Sequence, residues 1–366
     1  MIDSLLAMHM ANELLSVPVA AVTIALAVLA VVLAAARLRR RLDADKLPLM
    51  GVIGAFVFAA QMINFTLPGM PGTSGHLGGG VLLAIVLGPA AGIVAMAAIL
   101  IVQCLLFQDG GLLALGCNII NMGVVPCLLG WLLYRGLLGR AGQAPPWRQY
   151  LSAWAACLVG VTAGAALVPI QAAGSGVLRI PVANFLALML GVHLFIGFFE
   201  GLITFAVIAY LRQVRPAAIG LSAPGGQLAP RQRLSRRAVA LSLLVTSLLL
   251  AGVISWFASQ YPDGLEWSYL EHRYGRTEQA VENPSGLVAS VGAAQEKWSP
   301  MPDYTKRSAA LGESAAEAPQ AEPAEAWPNV DGWGSLAGVL GTLVTLGFVY
   351  LLAVLIRRRR PEPAKT

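Results

Sequence analysis

Only four histidines occur in this 366-residue chain, and two of them, His9 and His76, stand in unusual company. Neutral imidazole suits nickel, copper, zinc and iron, so two such rings meeting on one face of a protein would form the core of a metal site. His9 lies in Met8-His9-Met10. If Met8 were the first residue, its free amine, the His9 amide nitrogen and the His9 ring would make a planar three-nitrogen chelate. The His76 imidazole would complete a square of four nitrogens, a geometry that selects Ni(II) or Cu(II). The sequence begins with Met1-Ile2-Asp3-Ser4-Leu5-Leu6-Ala7, which places Met8 in a peptide bond and removes the amine. The reading favours initiation at Met8. Removal of the extension, or a site built differently, is the alternative, as is a His9 that is only an interfacial residue.

His76 lies in the segment from Asn64 to Gly80, rich in glycine and proline, which reads as a tight re-entrant loop. Asn64 and Ser74 could hold the His76 ring by hydrogen bonds, or serve only in packing between helices. His193 and Glu200 are seven residues apart, on one helix face but roughly 10 Å apart along the axis, too far to grip one ion from that helix alone. A structural or coupling role is expected for them, with a part in metal passage as the alternative. Gln61, Gln103, Asn118 and Asn121 read as interhelical hydrogen-bonding residues. Asp109-Gly110-Gly111 reads first as a turn, with a metal-facing carboxylate as the lesser option, and Tyr261 to Ser268 as a helix-ending anchor.

These residues must be carried by membrane helices. The chain is 57% hydrophobic and 12% charged, against about 25% charged for a soluble domain. Apolar runs of about 20 residues predict an all-α polytopic membrane protein, whereas the short alternating segments of a barrel are missing from the sequence. Seven crossings are expected at about Val17–Leu38, Pro48–Asn64, His76–Leu87, Ala91–Phe107, Leu112–Tyr134, Tyr150–Ile170 and Pro181–Leu211, the third being short and glycine-rich. Arg37, Arg39, Arg40 and Arg41 after the first span favour the cytoplasm, which puts the N-terminus, His9 and His76 outside. Residues 1–215 then form a seven-helix membrane domain. Residues 216–237 form a basic cytoplasmic linker, and 238–366 a two-helix module with an outward acidic loop at about 259–334 and a cytoplasmic C-terminus. The formal charge of +6 follows the ends of apolar segments, so it marks topology in lipid and not nucleic-acid binding. Cys104, Cys117, Cys127 and Cys157 read as buried packing residues.

Taken together, Met8-His9, Ser16 to Ala20, Gly72-Thr73-Ser74-Gly75-His76-Leu77, Phe107 to Leu112 and His193 to Thr204 resemble the CbiM/NikM family, the substrate-binding component of nickel/cobalt energy-coupling-factor transporters. Pro262-Asp263-Gly264-Leu265-Glu266 resembles the PDGLE motif of the N-type module fused to some of them. The resemblance implies Ni(II) or Co(II) held by Met8, His9 and His76. It also implies a transmembrane coupling subunit and cytoplasmic ATP-binding subunits as partners. This chain has no G-x-x-x-x-G-K-[ST] pattern, so ATP hydrolysis is expected elsewhere. No catalytic residues and no cofactor are expected, only the transported ion. The competing readings are an autonomous metal channel or secondary carrier, and a membrane metal sensor or assembly protein.

Overall fold

In the computed structural model the described residues are 9–40, 47–139, 144–214, 234–269, 281, 283–305 and 327–358. Long apolar runs become helices because lipid offers the backbone no hydrogen-bonding partner. Helix α1, Val17–Arg39, opens after Ser16 with Pro18 in its first turn and ends on Arg37 and Arg39. Helix α2, Leu47–Gln61, is buried along nearly its whole length. A two-stranded antiparallel hairpin follows, β1 Phe65–Thr66 with β2 Ser74–Gly75, pairing Phe65 with Gly75 and Thr66 with Ser74. Helix α3, Gly80–Leu87, stops at Gly88, and α4, Pro89–Phe107, starts directly behind it. Helix α5, Leu115–Leu138, is followed by α6, Pro146–Ser175, and α7, Val182–Val214. Within α5 the ladder widens into π-helical turns at Ile119–Val124 and Pro126–Gly130, where Pro126 supplies no N–H.

Each of the seven segments expected before residue 215 contains a helix, and the helices differ in length. Five of them (α1, α4, α5, α6 and α7) are long and apolar enough to cross a bilayer alone. The expected third span, His76–Leu87, is helical only from Gly80, and its eight helical residues reach about 12 Å at 1.5 Å each. It stops at Gly88, and α4 starts at the next residue. All four cysteines are buried and free, as their apolar setting predicted.

The C-terminal module contributes α8, Arg236–Gly252, and short helices α9, Gly264–Tyr269, and α10, Gly286–Trp298. Its last helix, α11, Gly332–Arg358, is a sixth helix of spanning length. The module is packed into the bundle by small residues. A Cβ on Gly341 would stand 2.2 Å from the Phe58 ring, one on Gly54 3.2 Å from Val349, and one on Gly338 3.1 Å from Met62 Cε. Helix α2 therefore lies between the two parts of the chain as shared core. The expected basic linker lies outside the described residues over 216–233, as does the Ala/Glu/Pro-rich stretch over 306–326.

Candidate metal centre

The segment that carries His9 is tied down residue by residue. Met10 N–H donates to Asn118 Oδ1 at 3.0 Å, and Asn118 Nδ2 donates back to the Met10 carbonyl at 3.2 Å. Asn118 therefore grips the N-terminal segment and does not join two helices, as its position in an apolar run had suggested. Gln103 to Gln61 and Asn121 to Gln171 are interhelical bonds, at 3.1 and 2.8 Å. Gly111 N–H also donates to the Met10 carbonyl, at 3.0 Å. Gly110 has φ +89°, and a Cβ there would lie 2.9 Å from both His9 Cβ and Asn118 Nδ2, so only glycine lets the two segments close. Met8 lies outside the described residues.

Helix α4 ends with Gln108 in the left-handed region, φ 57°, and Asp109 N–H returning to the Gln103 carbonyl at 3.1 Å. That ending turns the Asp109 carboxylate onto His9, whose Nδ1 donates to Asp109 Oδ1 at 2.6 Å. Asp109 is thus a histidine partner and more than a turn residue. Burial alone would raise its pKa, but the His9 ring beside it and hydrogen bonds from His9 and Tyr304 hold it below the ordinary aspartate value. His9 is 2% exposed, and its Nε2 is buried without a hydrogen-bond partner. A carboxylate on one imidazole nitrogen with the other left as a lone pair is the arrangement that orients metal-binding histidines.

His76 leaves the hairpin just after β2. Its Nδ1 donates to the Leu77 carbonyl at 3.1 Å, turning Nε2 toward Asp263, whose Oδ2 is 3.8 Å away. The expected supports of this ring do other work. Ser74 Oγ donates to the Tyr261 carbonyl at 2.7 Å and Ser74 N–H to the Pro262 carbonyl at 2.8 Å, so Ser74 clamps the C-terminal module. The Asn64 carbonyl accepts from Ser259 N–H at 2.7 Å, again a bond to the module and not to the ring.

The two rings meet, with centroids 5.5 Å apart and planes at 55°. A metal–nitrogen bond of about 2.1 Å lets two rings on one ion have centroids up to about 6 Å apart. The rings share a cavity of about 80 Å³ that His193, Asn118, Asn121 and Asp263 also line. His193 presents its ring there while its Nδ1 donates to the Met189 carbonyl at 2.8 Å. Glu200 does not line this cavity. Its Oε2 accepts from Gly78 N–H at 2.8 Å, below the His76 loop, and its Oε1 is buried without a partner. The two residues on one helix face therefore have separate tasks, His193 at the cavity and Glu200 at the start of α3.

The C-terminal module supplies three residues to which the sequence reading gave no part in the site. Asp263 faces His76. Tyr304 Oη donates to Asp109 Oδ2 at 2.7 Å while its ring stacks on Phe107 at 4.6 Å. Gln295 Nε2 donates to the Gly110 carbonyl at 2.8 Å, and its Oε1 accepts from Leu112 N–H at 2.9 Å. Pro262-Asp263-Gly264 carried a turn signal that could have pointed to Asp263; nothing local marks Tyr304 or Gln295, because their partners lie 195 and 185 residues away.

Residues 9–218 match the family described as "Cobalt uptake substrate-specific transmembrane region", CbiM, and residues 237–358 match the PDGLE domain. A relative in Archaeoglobus fulgidus is 38% identical over 192 residues, 52% of this chain, but the match spans only 61% of that protein's length. The fused nickel transport protein NikMN of Rhodobacter capsulatus is 30% identical over 317 residues, covering 81% of this chain and 88% of that one. The cobalt transport protein CbiM of Geobacter sulfurreducens is 30% identical over 261 residues, 67% of this chain and 72% of that protein. A crystal structure of a truncated transition metal transporter is 31% identical, covers 56% of this chain and 97% of that one, and superposes with a TM-score of 0.48. This multi-pass membrane chain therefore belongs to the CbiM family and carries a PDGLE domain behind the CbiM region.

Proposed function

We infer that the chain captures Ni(II) or Co(II) at the outer face of the cell membrane between His9 and His76. We also infer that it delivers the ion inward as the substrate-specific subunit of an ATP-driven energy-coupling-factor transporter. The observation that carries the reading is the approach of two imidazoles, 5.5 Å apart by centroid, one of them with a buried, partnerless Nε2. Relatives named as nickel and as cobalt transport proteins support the substrate class. The transmembrane coupling subunit and the cytoplasmic ATP-binding subunits would be separate polypeptides, and this chain would have its N-terminus outside and its C-terminus inside. Residues 1–215 would bind the ion and 238–366 would assist loading, joined through the basic linker 216–237.

In a protein that starts at Met8, the Met8 amine and the His9 amide would add two nitrogens and favour nickel by planar geometry. Such a chelate closes a small ring only through His9 Nδ1. A half-turn of the imidazole would bring Nδ1 to the ion and leave Nε2–H for Asp109, preserving the carboxylate contact. Protons compete for each imidazole, so capture weakens in acid.

The test is Ni(II) and Co(II) binding by the purified protein, together with uptake by cells carrying it with and without the ATP-binding subunits. His9→Ala with His76→Ala should abolish both. Unchanged binding in that double variant would remove the proposed site, and uptake without any ATPase would replace the subunit reading with an autonomous carrier.

A further inference from the structure

We propose that Gln103 is a positioning residue for metal capture: its backbone carbonyl holds the support of His9, its side-chain amide holds the support of His76, and the Gln61–Gln103 pair thereby sets how the two rings face each other. The proposal rests on the reading of these histidines as the capturing pair.

Two chains of hydrogen bonds start at Gln103, and each leads to the Nδ1 of one ring. On one side the Gln103 carbonyl accepts from Asp109 N–H at 3.1 Å, and the Asp109 carboxylate accepts from His9 Nδ1 at 2.6 Å. On the other, Gln103 Nε2 donates to Gln61 Oε1 at 3.1 Å, and Gln61 Nε2 donates to the Gly78 carbonyl at 2.8 Å. One peptide earlier, the Leu77 carbonyl accepts from His76 Nδ1 at 3.1 Å. Helix α3 begins only at Gly80, so the Gly78 carbonyl lies ahead of it and Gln61 serves as its partner. Glu200 takes the N–H groups of Gly78 and Gly79. The two peptides that meet at Gly78 are therefore gripped from α2 by Gln61 and from α7 by Glu200.

The direction of the chain is fixed. A carbonyl only accepts, so Gln61 must turn Nε2 to Gly78 and Oε1 to Gln103, which must answer with Nε2. The Gln103 side chain also hydrogen-bonds Tyr304, the residue that holds the second oxygen of Asp109. Both glutamines are fully buried, and Gln103 Oε1 is left without a partner. A pair that only joined two helices would end at its own bond. Here each glutamine continues to a segment that carries one of the rings, and in a low-dielectric interior such links hold their members at set separations because breaking one strands a buried polar group.

The experiment uses the full chain in detergent with Co(II) as the probe, because its visible ligand-field bands report the geometry around the ion. Gln103→Met and Gln61→Met keep the side-chain length and remove the link. Each should weaken Co(II) binding about tenfold and move the bands of the saturated protein. The double variant should also lose about tenfold, and not the roughly hundredfold of independent sites, because both changes cut one chain. Gln103→Asn, one methylene shorter with its amide retained, carries the same test where a methionine variant does not fold. Tyr210→Phe deletes a 2.5 Å bond to Ser242 between α7 and α8 and should lower the melting temperature while affinity and bands stay as in the parent. Parent-like affinity and bands in the glutamine variants, additive losses in the double variant, or an equal band shift in Tyr210→Phe overturns the proposal. Loss of binding in His9→Ala/His76→Ala beside parent-like glutamine variants overturns the positioning role alone, whereas Co(II) binding that survives the double histidine variant overturns the capture reading itself.

Discussion

Tyr304 of the C-terminal module donates its hydroxyl to Asp109 Oδ2 at 2.7 Å, and Asp109 Oδ1 in turn receives His9 Nδ1 at 2.6 Å. The fused module thus reaches the first candidate ligand through a single carboxylate, while its Asp263 faces the second. Tyr304→Phe keeps the stacking on Phe107 and deletes only the hydroxyl. A hydrogen bond to a charged group contributes roughly 1.5 kcal/mol or more, so metal affinity should fall by about tenfold with the fold intact. Titration calorimetry beside a thermal melt checks it; equal affinity would mean that Asp109 holds His9 without help.

The Asp263 turn depends on Gly264. Gly264→Ala forces a methyl into the space occupied by Val192 Cγ1, 2.2 Å away, and should lift the turn from α7. Both Ni(II) binding and thermal stability should drop. Adding Val192→Ala opens the space and should restore most of the loss, a coupling that a double-mutant cycle measures directly. Failure of the second change to rescue the first would place the damage elsewhere.

Burial and the Asp109 charge push Asp263 up to about 7, and burial with the Asp263 charge pushes Glu266 up to about 8. Unfolded carboxyls titrate near about 4, so between about pH 4 and about pH 8 the folded pair keeps protons that the unfolded chain has released. Stability of the metal-free protein must then fall as pH rises through this window. Asp109, held low, acts in the opposite sense: its contribution is present above the ordinary aspartate pKa and is lost as pH falls through its lowered value. Melting followed by tryptophan fluorescence should show Glu266→Gln flattening the alkaline decline. A parent protein whose stability rises from about pH 5 to about pH 8 would refute the assignment of this pair.

Glu200 binds Gly78 N–H at 2.8 Å and also the Gly79 N–H, the two residues at the mouth of α3. Glu200→Ala strands both donors inside the bundle at about 1–3 kcal/mol each, and should lower the melting temperature and weaken metal binding by loosening His76. Glu200→Gln keeps an acceptor oxygen and should recover most of both. If the alanine variant melts normally, the His76 loop is held by other contacts.

Much of the molecule is written locally. Apolar runs long enough to cross lipid give α1, α4, α5, α6, α7 and α11 without reference to anything else, and arginines at the ends of α1 and α11 mark their limits. The scarcity of histidine in such a chain makes His9 and His76 conspicuous, and the glycines after Asp109 announce a close approach of backbone. The sequence could not show what approaches. Ser74, two residues before His76, turns its hydroxyl to the module, and Asn64 gives the module its backbone carbonyl. Asp263 and Tyr304, remote in sequence, face His76 and Asp109.

By itself, the sequence determined the helical membrane architecture and the two imidazoles, because hydropathy and residue chemistry are properties of short stretches of chain. Only the tertiary structure decided which nitrogen of each ring is engaged, which carboxylate stands beside it, and that the C-terminal module belongs to the site. Those outcomes depend on hydrogen bonds and side-chain packing between residues up to 195 positions apart, and no local pattern encodes the partner at such a distance.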